Sequence, residues 1–381
     1  MFILRPIRLD DLDDFVTLVA RADHGLTSLP KDRVLLEERI KRSVASMGSR
    51  PLPRSQSSYL FVLIDTERSG LAGCCGCYGQ VGGDVPYFAY ELDTIDIGDE
   101  IGMRRTLRIL RVLEQQHGPA MLGSLLLDPG FRGRGVGRFL SLTRLLFLAD
   151  HPLRFDSQVI AELRGWLDDH GSSPFWDALG RHFFRMTLPE ADMRTHTIDG
   201  FVHHLLPRQP IFVDMLPPDA QAVIGAVHAS TQPAMDILKD EGFVLTPWLD
   251  PFEAGPVVRG DVEQLRTVRT SRVARVEGID QEEAPGRAAM VSNRDREWLP
   301  DYRVVMTPVV ETLSTEQTEM RVRDLQANTT PQATTHRAIG TVRLHVEAAT
   351  ALGVQIGDHV RIGDLAPSRR AVDDVSIAEE G

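Results

Sequence analysis

The chain has 381 residues, more than one compact core usually organises, so two or three modules are expected. Its 42 Lys and Arg stand against 54 Asp and Glu, a net charge of -12, so the overall field repels nucleic acid and any polyanion must be held by a local device. No apolar run approaches the ~20 residues that span a bilayer, and the opening MFILRPIRLDDLDD turns acidic with no signal-peptide core, so a cytoplasmic protein without membrane contact is expected.

Residues 2–23 read as a short strand and then a helix, with Leu12, Phe15, Val16 and Val19 on one face and Asp10 or Asp11 as N-cap. YLFVLIDTERSGLAGCCGCYGQ reads as two strands joined by a tight turn at Ser69-Gly70. Cys74, Cys75 and Cys77 are odd in number and too close together for a disulfide framework, and no fourth ligand stands at metal-like spacing. Reduced thiols packed in a strand are the better reading, and no metal is expected. The stretch from Tyr90 to His117 is less legible. A strand follows at Met121–Leu127, ended by Asp128-Pro129-Gly130, then a helix over Val136–Ala149 and a strand over Gln158–Gly165. A further helix has Ser172 or Ser173 as cap and Pro174 as its first residue.

A glycine-rich turn, DPGFRGRGVGR, sits between the Met121–Leu127 strand and its helix. Glycines 133, 135 and 137 let the chain present consecutive backbone N–H groups, and the helix adds its positive end, which together form a concave site for a pyrophosphate. Arg132, Arg134 and Arg138 supply the local charge that the acidic whole lacks. The spacing is Arg132-x-x-Gly135-x-Gly137. It is neither the dinucleotide GxGxxG nor a P-loop, which ends in GK[ST]. From these residues alone, an Arg-Gly surface turn is as good a reading.

The pattern R/Q-x-x-G-x-G/A between strand and helix, preceded by strand, helix and hairpin, resembles the coenzyme A loop of the GNAT superfamily of N-acyltransferases. More narrowly, GLTSLP (Gly25–Pro30), LLLDPGFRGRGVGRFLS, AELRGWLDDHGSSPFWDALGRHFF (Ala161–Phe184), QAVIGAVHASTQPAMDILKDEGF (Gln221–Phe243) and DPFEAGP (Asp250–Pro256) resemble, in order, blocks of the arginine N-succinyltransferase family over about residues 1–275. The resemblance implies an α+β fold, a GNAT-like mixed sheet flanked by helices. It implies CoA held at Arg132, Gly133, Arg134, Gly135, Val136, Gly137 and Arg138, with Leu125 and Leu127 on the strand beside the pantetheine arm. Leu125 would act there through its main chain. It also implies succinyl-CoA as co-substrate with no permanently bound cofactor, L-arginine as acceptor, and His228 as proton donor. The residues themselves leave His228 open, since a lone histidine after an apolar AVIGAV segment also fits a half-buried packing role.

An arginine ligand needs carboxylates for its guanidinium. Glu162 is the first candidate, because a charge in an otherwise apolar strand needs a partner. Asp168, Asp169, Asp23, His24 and Ser28 are others. The family has Thr-Gly after the histidine of EQQHGPAMLGS, an acidic residue near Met121 and a cysteine where Gly123 stands, so ornithine or another amine is an alternative acceptor. A non-catalytic CoA-binding regulator is a third reading.

FWDALGRHFFRM and MDILKDEGFVL each run from helix through Gly and an aromatic into strand, the ending of an acyltransferase domain. We therefore expect an acyltransferase lobe over 1–186, a second acyltransferase-like lobe with His228 over 187–275, strands exchanged between them, and a linker with a small β-rich C-terminal module over 276–381. Within the last, VEGIDQEEAPGRAAMVSN reads as polar linker, DYRVVMTPVVETL as strand, and TEQTEMRVRDLQANTTPQATTHRA as a loose insertion. TVRLHVEAATALGVQIGDHVRIGDL gives strand, short helix, turn at Gly357-Asp358, and strand. The last residues form a disordered tail, and a homo-oligomer is expected on base rates.

Overall fold

A computed structural model describes residues 1–22, 29–48, 50, 52–168, 170–198, 200–282, 288–294, 299–312 and 340–365. Its strands, in chain order, are β1 (Phe2–Pro6), β2 (Ser58–Asp65), β3 (Leu71–Tyr78), β4 (Tyr87–Ile97), β5 (Arg105–Gln115), β6 (Ala120–Leu127), β7 (Gln158–Glu162), β8 (Ile211–Phe212), β9 (Val244–Leu249) and β10 (Pro256–Asp261). The C-terminal part adds β11 (Arg272–Asp280), β12 (Ala288–Ser292), β13 (Val304–Pro308), β14 (Val310–Thr312), β15 (Gly340–His345) and β16 (His359–Asp364). Among the described residues they form one sheet, ordered β14-β15-β11-β16-β12-β13-β1-β2-β3-β6-β7-β10-β9-β4-β5-β8.

The segments SYLFVLID and LAGCCGCY of β2 and β3 lack polar alternation because both faces of these strands are covered. Helices α1 (Leu12–Ala20) and α2 (Arg33–Ser46) cover one face, with Phe15, Leu18, Ile40 and Cys74 in a common cluster. Helix α3 (Val136–Asp150) covers the other, where Cys75 and Cys77 pack with Phe139, Leu142 and Leu146. The alternation of Cys74 against Cys75 and Cys77 is the period of two of a strand. The hairpin expected at Ser69-Gly70 is present, with Gly70 at φ +85°.

Helix α3 buries almost its whole circumference, from Val136 to Leu148, because Met290, Tyr302 and Val304 of the C-terminal part close over the side that the sheet leaves uncovered. Its last residue, Asp150, fastens the two parts together. One carboxylate oxygen accepts from Arg361 Nε at 2.7 Å, the other from Ser292 Oγ at 2.6 Å and Tyr302 OH at 3.1 Å.

The expected boundary at residue 186 crosses a continuous sheet: β9 and β10 bond to each other, and β10 bonds antiparallel to β7. The long β4–β5 hairpin, the stretch least legible in sequence, joins the sheet through Tyr90 and Glu91 opposite Leu249 and Trp248. It carries a second core of Phe88, Tyr90 and Leu110 with Trp176, Phe184 and Phe252.

The sequence VEGIDQEEAPGRAAMVSN is not a linker at its described ends. It supplies the end of β11 and all of β12, because Val276, Ala289, Met290 and Val291 are buried and outweigh the charged residues between. Strand, helix (Val346–Leu352), turn and strand over 340–364 match expectation, with Gly357 at φ +101°. The Thr- and Gln-rich insertion and the tail lie outside the described residues.

Candidate active site

Strands β6 and β7 run parallel but pair only over Ala120–Leu122 with Val159–Ala161. Beyond that point they part. Strand β6 continues through Gly123–Leu127 against β3 alone, while the continuation of β7 turns to its other neighbour. There the Leu163 N–H donates to the Pro256 carbonyl at 3.0 Å and the Gly165 N–H to Glu253 Oε2 at 2.9 Å. A notch therefore opens at the C-terminal ends of two parallel strands, the usual ligand position in open sheets.

A bulge in β6 lies in this notch. Gly76 pairs with Gly123 and Cys74 with Leu126, so three steps on β6 face two on β3, and Ser124 takes up the difference at φ +53°. Leu125, one residue on, packs its side chain with Leu127 toward the α3 core and has its main chain off the regular ladder.

The glycine turn follows. Asp128 Oδ1 accepts from the Gly130 N–H at 2.8 Å, and Oδ2 from Arg21 at 2.9 Å. Gly133, Arg134 and Gly135 are then successively left-handed, at φ +95°, +51° and +78°, and Gly135 is the N-cap of α3. No atom lies within 4 Å of a Cβ built on Gly133 or Gly135, so the turn presents bare backbone outward. The Val136 N–H turns back to the Gly133 carbonyl at 3.1 Å, and the next first-turn N–H groups, of Gly137 and Arg138, add the positive end of the helix. Arg132 and Arg134 are exposed, while the Arg138 side chain is engaged by the Leu365 carbonyl at 2.6 Å and Asp240 at 3.0 Å.

Glu162 stands on the opposite wall, one residue past the last β6–β7 pair. Val159 and Ala161 face the α3 core, so Glu162 faces away from it. Its Oε1 accepts from Tyr87 OH at 2.7 Å. Burial first, and then the charge of Asp250, push its carboxyl up to about 7. Solvent still reaches the side chain, as it does a group on the floor of an open cleft.

Sequence reasoning did not assign Asp250, which acts on Glu162, or Asp192 and Glu253, which Asp250 also acts on. Asp250 Oδ1 accepts the N–H groups of Phe252 and Glu253 at 2.9 and 2.8 Å, and burial raises its pKa. Glu253 is 3% exposed, its Oε1 has no hydrogen-bond partner, and burial with the Asp250 charge pushes it up to about 8. Asp192, on the helix Leu188–Thr197, is pushed up to about 7 by burial and Asp250. Close approach of the chains makes this cluster: a Cβ on Gly255 would lie 2.1 Å from the Leu163 carbonyl, and one on Gly165 2.4 Å from that of Glu253. The signal in the sequence was DPFEAGP, two acids in a glycine-closed loop. Tyr87 lay at the edge of the illegible stretch and gave none.

His228 reaches the notch through the backbone. Alternate residues of an extended chain turn their polar groups to opposite edges. Leu163 and Gly165 face β10, so Arg164 turns to the edge that β6 has left, and its carbonyl accepts the His228 N–H at 3.0 Å. Val227 packs on the same core cluster as Leu125. Ser230 holds the ring, its Oγ 2.8 Å and its backbone N 3.2 Å from His228 Nδ1. Asp168 caps its own turn through the N–H groups of His170 and Ser172. His24, Ser28, Asp23 and Asp169 lie outside the described residues.

Cys74, Cys75 and Cys77 are fully buried, and burial pushes Cys75 up to about 12 and the other two higher still. None is a thiolate at neutral pH. A variant with all three replaced by alanine keeps most of its turnover, measured below its melting point; loss of kcat in that folded variant would argue for a covalent acyl-cysteine.

The sheet order β1-β2-β3-β6-β7-β10-β9, the parted β6–β7 pair, the β6 bulge against β3 and the left-handed turn capping α3 define an acyl-CoA-dependent N-acyltransferase of the GNAT type. Residues 2–267 match the family described as arginine N-succinyltransferase beta subunit, and the chain belongs to the arginine N-succinyltransferase family. It is similar to the arginine N-succinyltransferases of Citrobacter koseri, 36% identical over 77% of this chain and 86% of that one, and of an Enterobacter species, 34% identical over 92% and 100%. The solved structure of arginine/ornithine succinyltransferase subunit AI from Pseudomonas aeruginosa superposes with a TM-score of 0.79 at 30% identity, covering 96% of this chain and 99% of that one.

Proposed function

We propose that this protein transfers the succinyl group of succinyl-CoA to the α-amine of L-arginine, giving N2-succinyl-L-arginine and CoA. Beyond the family, one observation carries the acceptor: a cluster of carboxyls, Glu162, Asp192 and Glu253, each raised by burial and by the charge of Asp250, beside the end of β7. Arg164 acts on Glu253 and His196 lies 4.0 Å from Asp192, and a guanidinium ligand would add a charge and several donors for the remaining carboxyls. The pyrophosphate lies on the N–H groups of the Gly133–Arg138 turn, and the pantetheine amides pair along the free edge of β6. The neutral α-amine attacks the thioester carbonyl. Its oxygen, gaining charge, is met by main-chain N–H groups at the Leu125 bulge, and collapse of the intermediate expels the CoA thiolate. The imidazolium of His228 hands a proton to that sulfur, and the ring left neutral is reprotonated by the ammonium formed by attack. The Pseudomonas aeruginosa subunit carries ornithine in its name beside arginine, and ornithine is a cation that the same carboxyl cluster accepts at fewer contacts. Thiol release from succinyl-CoA with a panel of amines tests the reading. Arginine is the preferred acceptor, and release that does not depend on a basic amino acid would overturn it.

Glu162→Gln raises KM for arginine roughly 10–100-fold, the value of a charge-assisted hydrogen bond, and leaves KM for succinyl-CoA nearly unchanged. Equal effects on both would make Glu162 structural.

The raised carboxyls set a pH dependence. Each binds its proton more tightly in the fold than in the unfolded chain, so the free protein loses stability as pH rises through about 7 to 8. A bound guanidinium lowers these pKa values and expels protons. Arginine therefore raises Tm more at pH 8 than at pH 6, and calorimetry in buffers of different ionisation heat shows proton release on binding. A pH-independent shift in Tm would place arginine elsewhere.

A further inference from the structure

A succinyl group differs from an acetyl group by a distal carboxylate, and the notch has a cation placed for it. Arg39 projects from α2 onto the face of the sheet opposite α3, and its Nη2 donates to the hydroxyls of Tyr78, on β3, and Ser124, at the β6 bulge, the latter at 2.9 Å. Its Cζ lies 5.7 Å from the centre of the Tyr78 ring. Elsewhere on α2, Arg33 pairs with Asp13 and Lys41 with Glu37. Among the described residues no carboxylate pairs with Arg39, and its buried Nε has no hydrogen-bond partner. A half-buried guanidinium met only by two hydroxyls keeps an uncompensated charge, which an anion would neutralise.

The bulge explains why this cation matters to the acyl group. Gly123 already faces Tyr78, and in a regular strand Ser124 would point toward α3; its left-handed φ turns it to the Arg39 side as well. Leu125, whose main chain would meet the thioester, is the next residue, with its Cα about 3.8 Å from that of Ser124. A succinyl chain carries its carboxylate three C–C bonds of about 1.5 Å beyond the thioester carbon, which keeps it within a few bond lengths of a thioester held at Leu125. Glu162 faces the same side of the sheet from β7, so an anionic donor and a cationic acceptor would meet between poles of opposite charge. We propose that Arg39, with the hydroxyls of Tyr78 and Ser124, binds the distal carboxylate of the succinyl donor and sets its selection over uncharged acyl groups. This rests on the reading of the site as a succinyl-CoA transferase.

The test compares kcat/KM for succinyl-CoA and for butyryl-CoA, of equal length without the charge, at saturating arginine. The wild type prefers succinyl-CoA. Arg39→Met lowers kcat/KM for succinyl-CoA by about 10–100-fold and leaves butyryl-CoA unchanged or improved, so the preference collapses. Should Arg39→Met not fold, Arg39→Lys, which keeps the charge but loses the planar fork, gives the same comparison with a smaller fall in the ratio. An unchanged ratio in either folded variant, or equal losses on both donors, overturns the role of Arg39 while succinyl transfer stands. A wild type that does not prefer succinyl-CoA contradicts the functional reading itself.

Discussion

His228→Ala should lose a factor of about 10²–10⁴ in kcat while succinyl-CoA still binds, because the departing thiolate then has no positioned acid. The loss belongs to turnover because what holds the neighbouring chain is the His228 main-chain N–H, which donates to the Arg164 carbonyl at 3.0 Å. Alanine preserves that backbone bond, so the parted geometry of β7 survives the substitution. His228→Gln should not rescue: an amide donates a hydrogen bond but delivers no proton. The basic limb of the wild-type kcat profile should vanish in the alanine variant. Near-full turnover in folded His228→Ala would return the residue to a packing role.

Gly135→Glu should weaken CoA binding by about 3 kcal/mol, roughly two orders of magnitude. Three contributions have the same sign. A side chain at φ +78° is strained by about 1 kcal/mol or more, which shifts the free turn away from the shape that CoA needs, a carboxylate opposes the pyrophosphate at the helix N-terminus, and displacement of the phosphate loses amide hydrogen bonds. Folding should survive, since a Cβ at Gly135 meets nothing within 4 Å. Calorimetric CoA affinity equal to the wild type in the folded variant would remove the turn from the site.

The two variants bear on parts of the site that were unequally legible in sequence. The turn was legible because glycine and arginine spacing is a local signal, and the structure makes it three left-handed residues before a helix. The helix start, the cysteine strand and the C-terminal strand-helix-strand were local in the same way. The acidic cluster was not, since Tyr87, Glu162, Asp192 and Asp250 come from four separate segments brought together by tertiary contacts. Glu162 alone stood out, as a charge in an apolar strand. Arg39 left no trace either, because a helical arginine reads as a solvated surface residue until Ser124 is seen to turn toward it. Strands exchanged across residue 186 were expected, but which strands pair was hidden for a related reason: β10 finds β7 across almost a hundred residues of intervening chain.

The most direct measurement is the identity of the product formed from succinyl-CoA and L-arginine by the purified full chain. Tandem mass spectrometry should show one succinyl group on the α-nitrogen of arginine, formed in equal amount to the CoA released and faster than the corresponding product from ornithine or lysine. CoA release without succinylarginine, or no release at all from a chain that binds succinyl-CoA, would contradict the assignment.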